Sequence, residues 1–196
     1  MNPNYTDIFG RLDYNDRRIR AVAHTVNNPS YKVYTGLMTQ TGTFDPNATQ
    51  FITSGLLIVG ATYQIANNDN LLDDFKNVGA PSNATATNFT ATGTTPAVWT
   101  NGSFLAYNPT FPVVKVLENT IGNIYWNTAQ IGTYQAFSNN LFTIGKTYMT
   151  PIVAKDPNDD FNFTYAPQLS LVNAVSYISY QDSILVNAPF EIKVYS

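Results

Sequence analysis

The 196 residues carry a net charge of −3, with only 12 per cent charged side chains against 44 per cent hydrophobic ones. That hydrophobic content argues against a disordered chain, and the length is enough for one large domain or two small ones with a buried core. There is no cysteine, so disulfides and thiolate chemistry are excluded.

Asn and Thr make up about a quarter of the chain, alongside 13 Tyr, 12 Phe and 2 Trp. Thr and the aromatics favour strands, whereas Asn, Gly and Pro mark turns. The balance predicts an all-β chain of many short strands. The opening MNPNYTDIFG has no basic stretch leading into an apolar run, and no later segment approaches 18 apolar residues. Neither a signal peptide nor a membrane anchor is expected.

In chain order, residues 1–30 read as an N-terminal arm, its apolar positions Ile8, Leu12, Ile19 and Val22 allowing one helix or an irregular segment closed by NNPS. All four arginines, Arg11, Arg17, Arg18 and Arg20, fall in this arm, interleaved with Asp7, Asp13 and Asp16. The mixture favours docking onto a partner protein over binding nucleic acid, because the acids roughly neutralise the segment. A solvated helix laced with pairs such as Asp13 and Arg17 is an equal alternative.

YKVYTGLMTQ alternates with a period of two and predicts a half-buried strand; TGTFDPNATQ is turn chemistry around Asp45-Pro46-Asn47. LLIVGATYQIA (56–66) reads as a buried strand followed by an alternating one, NNDNLLDD as an acidic loop, and NVGAPSNATATN as an exposed connector. NFTATG and AVWT are short strands, and Asn101-Gly102 predicts a hairpin placing Val98-Trp99-Thr100 opposite Phe104-Leu105-Ala106. VVKVLENT, GNIYWNTA, IGTYQAFS and LFTIGKTYMTPIVA are four further strand-like runs, KDPNDDFN (155–162) is a second acidic loop, and the tail supplies LSLVNAVSYISY and ILVNAPFEIKVYS. Turn signals every 8 to 12 residues predict a β-sandwich or jelly-roll-like domain.

The chemistry-bearing residues are sparse. The 38 residues from Asn77 to Val114 contain no Asp, Glu, Lys, Arg, His or Cys, so this segment offers only shape, hydroxyls and amides. His24 is the single histidine, which rules out a His-based zinc site or triad. Glu118 and Glu191 are the only glutamates; a glycosidase pair would draw on Asp73-Asp74 or Asp159-Asp160. Those aspartates sit in Asn-rich loops, where oxygen-rich turns more often cap backbone, or hold Ca2+, than do catalysis. No cofactor and no enzyme activity are expected. Trp99, Tyr107 and Trp126 are the candidate ligand or interface aromatics, able to stack on sugar rings, although aromatics at strand spacing are more often core.

YKVYTGLMTQTGT together with VVKVLENTIGNIYWNTAQIGTYQAFSNNLFTIGKTY, and above all its VLENTxGxIxW core, resembles a pattern in structural proteins of tailed and related bacteriophages. The intervening G-x-TY-x-I, DDF-x-NVGA and F-x-ATGTTP-x-x-W-x-NGS resemble a second phage-associated module, and the two cover about two thirds of the chain. The resemblance implies a discontinuous β domain (31–50 and 112–196) with an inserted β module at 51–111. It also implies a virion component, such as the head-fibre, capsid-associated or tail proteins of crAss-like and other phages of Bacteroidetes bacteria. It brings no catalytic residues. The expected partners are other virion proteins and further copies of the chain, since oligomerisation buries undefended strand edges, with a trimer favoured; a host-surface glycan is a further candidate, and no membrane or specific nucleic acid is expected. A tail or spike protein that binds a host receptor or glycan is the alternative.

Overall fold

The computed structural model of the chain describes residues 30–40, 42–68, 71–100, 102–151, 173–178 and 185–196. The arm at 1–29, with its arginines and His24, and the acidic loop at 155–162 lie outside the described residues. The described residues form eleven strands in three sheets, an all-β, sandwich-like fold.

The first sheet has the order β6 (Val113–Asn119), β1 (Tyr31–Thr39), β11 (Ala188–Tyr195), β9 (Thr147–Pro151). The second runs β10 (Asn173–Ile178), β8 (Thr133–Ser138), β7 (Ile124–Gln130), and the third β2 (Gln50–Ile52), β5 (Phe104–Tyr107), β3 (Thr62–Asn67), β4 (Asn88–Thr90). The pairs β1–β6, β9–β11, β8–β10, β7–β8, β2–β5, β3–β5 and β3–β4 are antiparallel.

Strand alternation decides which side chains enter the core. In β11, Phe190, Ile192 and Val194 are buried between half-exposed Glu191, Lys193 and Tyr195, as a period of two requires. The inward residues of the first sheet meet those of β7 and β8 in one cluster that includes Tyr34, Met38, Trp126, Tyr134 and Phe190. At its centre the Trp126 and Phe190 rings lie edge to face at 4.9 Å, an arrangement that the ring quadrupoles favour. The Trp126 Nε1–H donates to the Tyr34 hydroxyl at 3.4 Å.

The third sheet has a cluster of its own, built on Tyr63, Ile65, Phe75, Val78, Phe89 and Leu105. All four of its strands come from the continuous stretch Gln50–Tyr107. Lys32–Val194 fall in one compact unit. In the other unit, Ser196 N–H donates to the Ser30 carbonyl at 3.0 Å, and the Tyr31 and Tyr195 rings are 5.5 Å apart.

Several expectations hold. The turn at Asp45-Pro46-Asn47 forms, with the Asp45 carboxylate accepting from Asn47 N–H at 2.8 Å, the local bond that suits Asp to turns. The strand-like runs in VVKVLENT, GNIYWNTA and IGTYQAFS become β6, β7 and β8.

Others are corrected. Residues 56–60 do not form a buried strand: Leu57 is buried, but Leu56, Ile58 and Val59 are exposed. The backbone donors there go to scattered acceptors, Leu57 N–H to Thr94 O and Ile58 N–H to the Tyr63 hydroxyl. The chain then turns at Gly60, whose φ is +89°, and a Cβ there would lie 2.5 Å from the Val114 carbonyl oxygen. Among the described residues, Val98–Thr100 do not pair with Phe104–Ala106 as the predicted hairpin requires. β5 is flanked by β2 and β3, which leaves no edge for Val98–Thr100, and Val98 bridges Asp74 instead. The expected connector at 77–88 is only partly exposed, because Val78 and Ala80 enter the core beside a short 3-10 turn at Lys76–Val78.

Candidate functional site

The uncharged stretch borders a cleft where it meets β7. A cleft of about 480 Å3 opens between the loop at residues 81–88 and the β7–β8 sheet. The loop side presents Ser82, Thr85, Thr87 and Asn88 with the apolar Pro81 and Ala86; the sheet side presents Asn123, Tyr125 and Asn139 over the buried Ser138. Its polar groups are hydroxyls, amides and one phenol.

The loop is held by its own backbone. Ala86 N–H donates to Ile65 O at 2.7 Å, Ile65 N–H donates to Thr87 O at 2.9 Å, and the Ser82 and Thr87 hydroxyls lie 2.8 Å apart. Ala86 adopts φ +67° to make this turn, an uncommon conformation for a residue with a Cβ. The Asn123 amide nitrogen donates to Asn88 O at 2.9 Å, tying the loop to the entry of β7. Tyr125 lies on the face of β7 opposite Trp126, and its ring stacks on Phe137 at 5.5 Å and 12°. Burial pushes the Tyr125 phenol up from its ordinary value, against a hydrogen bond with the Asn88 side chain, so the group is neutral at physiological pH.

A second polar cluster surrounds Asp73. Asp73 is fully buried. One carboxylate oxygen accepts from Thr100 N–H at 2.8 Å; the other accepts from Ser103 N–H at 3.2 Å and from the Ser103 hydroxyl. Asn68 closes the far side, accepting from Asp73 N–H and donating to Asp73 O. The neighbouring Asp74 carboxylate accepts from the Asn83 amide at 2.9 Å and from Lys76 N–H at 3.1 Å. These two bonds, the Asn83 one first, hold its pKa below the ordinary carboxylate value. The Asp73-Asp74 pair therefore caps backbone. Among the described residues no three acids, histidines or cysteines gather into a metal-binding group.

The three aromatics singled out in the sequence have separate fates. Trp126 is a correction: it is fully buried in the core, and an indole packed on Tyr34 and Phe190 has no face left for a ligand. Trp99 is half-buried, edge to face with Phe75 at 5.6 Å, its Nε1–H donating to Ser103 O. Tyr107 is half-buried against Tyr63 and donates its hydroxyl to Gln50 Oε1 at 3.0 Å. Neither lines the cleft. Arg11, Arg17, Arg18, Arg20 and the Asp159-Asp160 pair lie outside the described residues.

No family model, curated protein or solved structure matches this chain. Tyr125, Asn123 and Asn139 were not singled out in the sequence. The signal available there was the clustering of Asn with Thr and Ser in GNIYWNTA and SNN, which reads equally well as turn chemistry.

Proposed function

We propose that this chain is a bacteriophage virion structural protein, a head fibre, capsid decoration or vertex-associated component, acting by assembly and not by catalysis. The observation that carries this reading is the edge of β6. This strand is the outermost of its sheet, and its residues from Lys115 to Asn119, Val116 and Leu117 among them, are exposed. A groove of about 520 Å3 lined by Leu37, Val59, Val113 and Val116 lies beside it.

An edge strand with exposed apolar side chains presents unpaired backbone groups and poorly solvated surface together, and pairing with another chain covers both. Lys115 and Glu118 put charge on this strand, and the apolar Val116 and Leu117 stand exposed between them. The exposed Leu56, Ile58, Leu71 and Leu72 add further apolar surface. The resemblance of the flanking segments to phage structural proteins supports the same reading. In it, residues 1–30 dock onto the particle and copies of the β body associate, with a trimer favoured.

The test is immunogold electron microscopy of intact particles with an antibody to this chain, together with mass spectrometry of dissociated particles. Label over the head is the expected result; absence of the chain from both overturns the proposal. The neutral cleft favours a second reading, a tail or spike protein that binds a host glycan, and label confined to the tail tip would select it.

A further inference from the structure

The geometry points to the cleft between the 81–88 loop and β7 as a binding site for a neutral saccharide. The chemistry of its walls is selective. Ser82, Thr85 and Thr87 on one side and Asn123 and Asn139 on the other are uncharged groups that exchange hydrogen bonds with hydroxyls, whereas the Ser138 hydroxyl is buried and accepts from Leu141 and Phe142 N–H. The cleft has no Lys, Arg, Asp, Glu or His in its lining, so an anionic or cationic ligand would lose its hydration there without gaining a counter-charge.

Three features separate this cleft from an incidental surface dent. Its volume of about 480 Å3 lies within the roughly 300–1,000 Å3 of small-molecule sites. Its loop is ordered in advance by the bonds from Ala86 and Thr87 to Ile65 and by the Asn123 tie, so little entropy remains to be lost on binding. Tyr125, fixed by stacking on Phe137 and by its bond to Asn88, supplies an aromatic surface with a polar tip, suited to the apolar patches of a sugar ring.

The site also has spare hydrogen-bonding capacity. Asn139 is exposed, and its amide makes no hydrogen bond among the described residues. The Asn123 amide uses its nitrogen on Asn88 O and keeps its oxygen available. This assignment does not rest on the assembly reading, since a saccharide site can serve a head or a tail component equally.

The test is saturation-transfer and heteronuclear NMR on the full chain. The neutral probes are lactose, maltotriose, mannotriose and N-acetylchitotriose; the charged comparisons are sialyllactose and a heparin tetrasaccharide. At least one neutral probe at millimolar concentration should shift the amides of Thr87, Asn123 and Tyr125. Asn139→Ala should weaken that binding about tenfold, the loss of one or two hydrogen bonds, with an unchanged Tm. Tyr125→Ala should abolish it, and Tyr125→Phe, which keeps the ring, should retain part of it if the Ala variant fails to fold. No binding by any neutral probe, tighter binding of a charged one, or indifference to Asn139→Ala overturns the assignment.

Discussion

Thr62 and Thr90 are cross-strand partners in β3 and β4, and their hydroxyls grip β7 at adjacent points. Thr62 Oγ1 accepts from Trp126 N–H at 2.9 Å, and Thr90 Oγ1 donates to Ile124 O at 2.8 Å. β7 is the outer strand of its sheet, so two side chains here do what a further strand would do. They satisfy two of its outer backbone groups and fasten the third sheet to the second. Thr62→Val should cost about 1–3 kcal/mol, because it leaves the buried Trp126 N–H without an acceptor. Thr90→Val should cost about 1 kcal/mol, since a carbonyl tolerates the loss better. Urea unfolding of the single and double variants measures both, and a double-variant cost differing from the sum would reveal their coupling.

Asp73 binds the backbone of Thr100 and Ser103, where the sequence predicted a hairpin. Asp73→Ala strands the buried Ser103 N–H and hydroxyl and frees the partly buried Thr100 N–H, and a loss of about 2–3 kcal/mol is expected. Asp73→Asn keeps the shape but turns one acceptor into a donor facing donors, so it should recover only part of that loss. Thermal unfolding of the two variants at neutral pH is the check.

Tyr34 links stability to alkaline pH. Burial pushes its phenol up to about 12, against a hydrogen bond with Trp126. The unfolded phenol ionises near 10, so the contribution is whole below pH 10 and is lost as pH rises toward 12, by about 2–3 kcal/mol. Tyr63 and Tyr125 are shifted in the same direction and steepen the decline. Tyr34→Phe should flatten part of this alkaline limb in a Tm against pH series.

Asp74 acts at the other end of the pH scale. Its folded pKa lies below the ordinary 3.8, so its contribution is present above that value and disappears as pH falls through the folded pKa. Asp74→Asn should make Tm less sensitive to pH below about 4 than in the native chain.

Gly79 closes the 3-10 turn with φ +106°, and a Cβ there would stand 2.6 Å from Thr90 O. Gly42 has a similarly positive φ, +91°, but open space around it. Gly42→Ala should therefore cost only the backbone term, about 1 kcal/mol, and Gly79→Ala distinctly more, because backbone atoms of β4 must move. Chemical denaturation of the pair separates conformational strain from steric collision.

Period-two alternation made β1 and β11 legible in the sequence, as Asp45-Pro46-Asn47 did its turn. The failures have a common cause. LLIVG has the composition of a buried strand, yet Gly60 must pass against Val114 O, and the backbone turns there instead of extending. Asn101-Gly102 is a strong local hairpin signal, but β5 already has β2 and β3 at its edges, and Asp73 offers the Ser103 N–H a carboxylate from 30 residues away in sequence. Trp126 and Tyr125 are adjacent residues of one strand. Which of the two is core and which lines a cleft depends on the face that the first sheet covers.

By itself the sequence determined the β class, most of the strands after residue 112 and the uncharged character of the middle segment, because these follow from residue type and local period. Only the tertiary structure decided that Asp73 is a buried cap, that Trp126 belongs to the core, and that the 81–88 loop meets Asn123, Tyr125 and Asn139. Those outcomes depend on which distant edges and faces come into contact, and pairing between residues far apart leaves no mark in the local pattern of either partner.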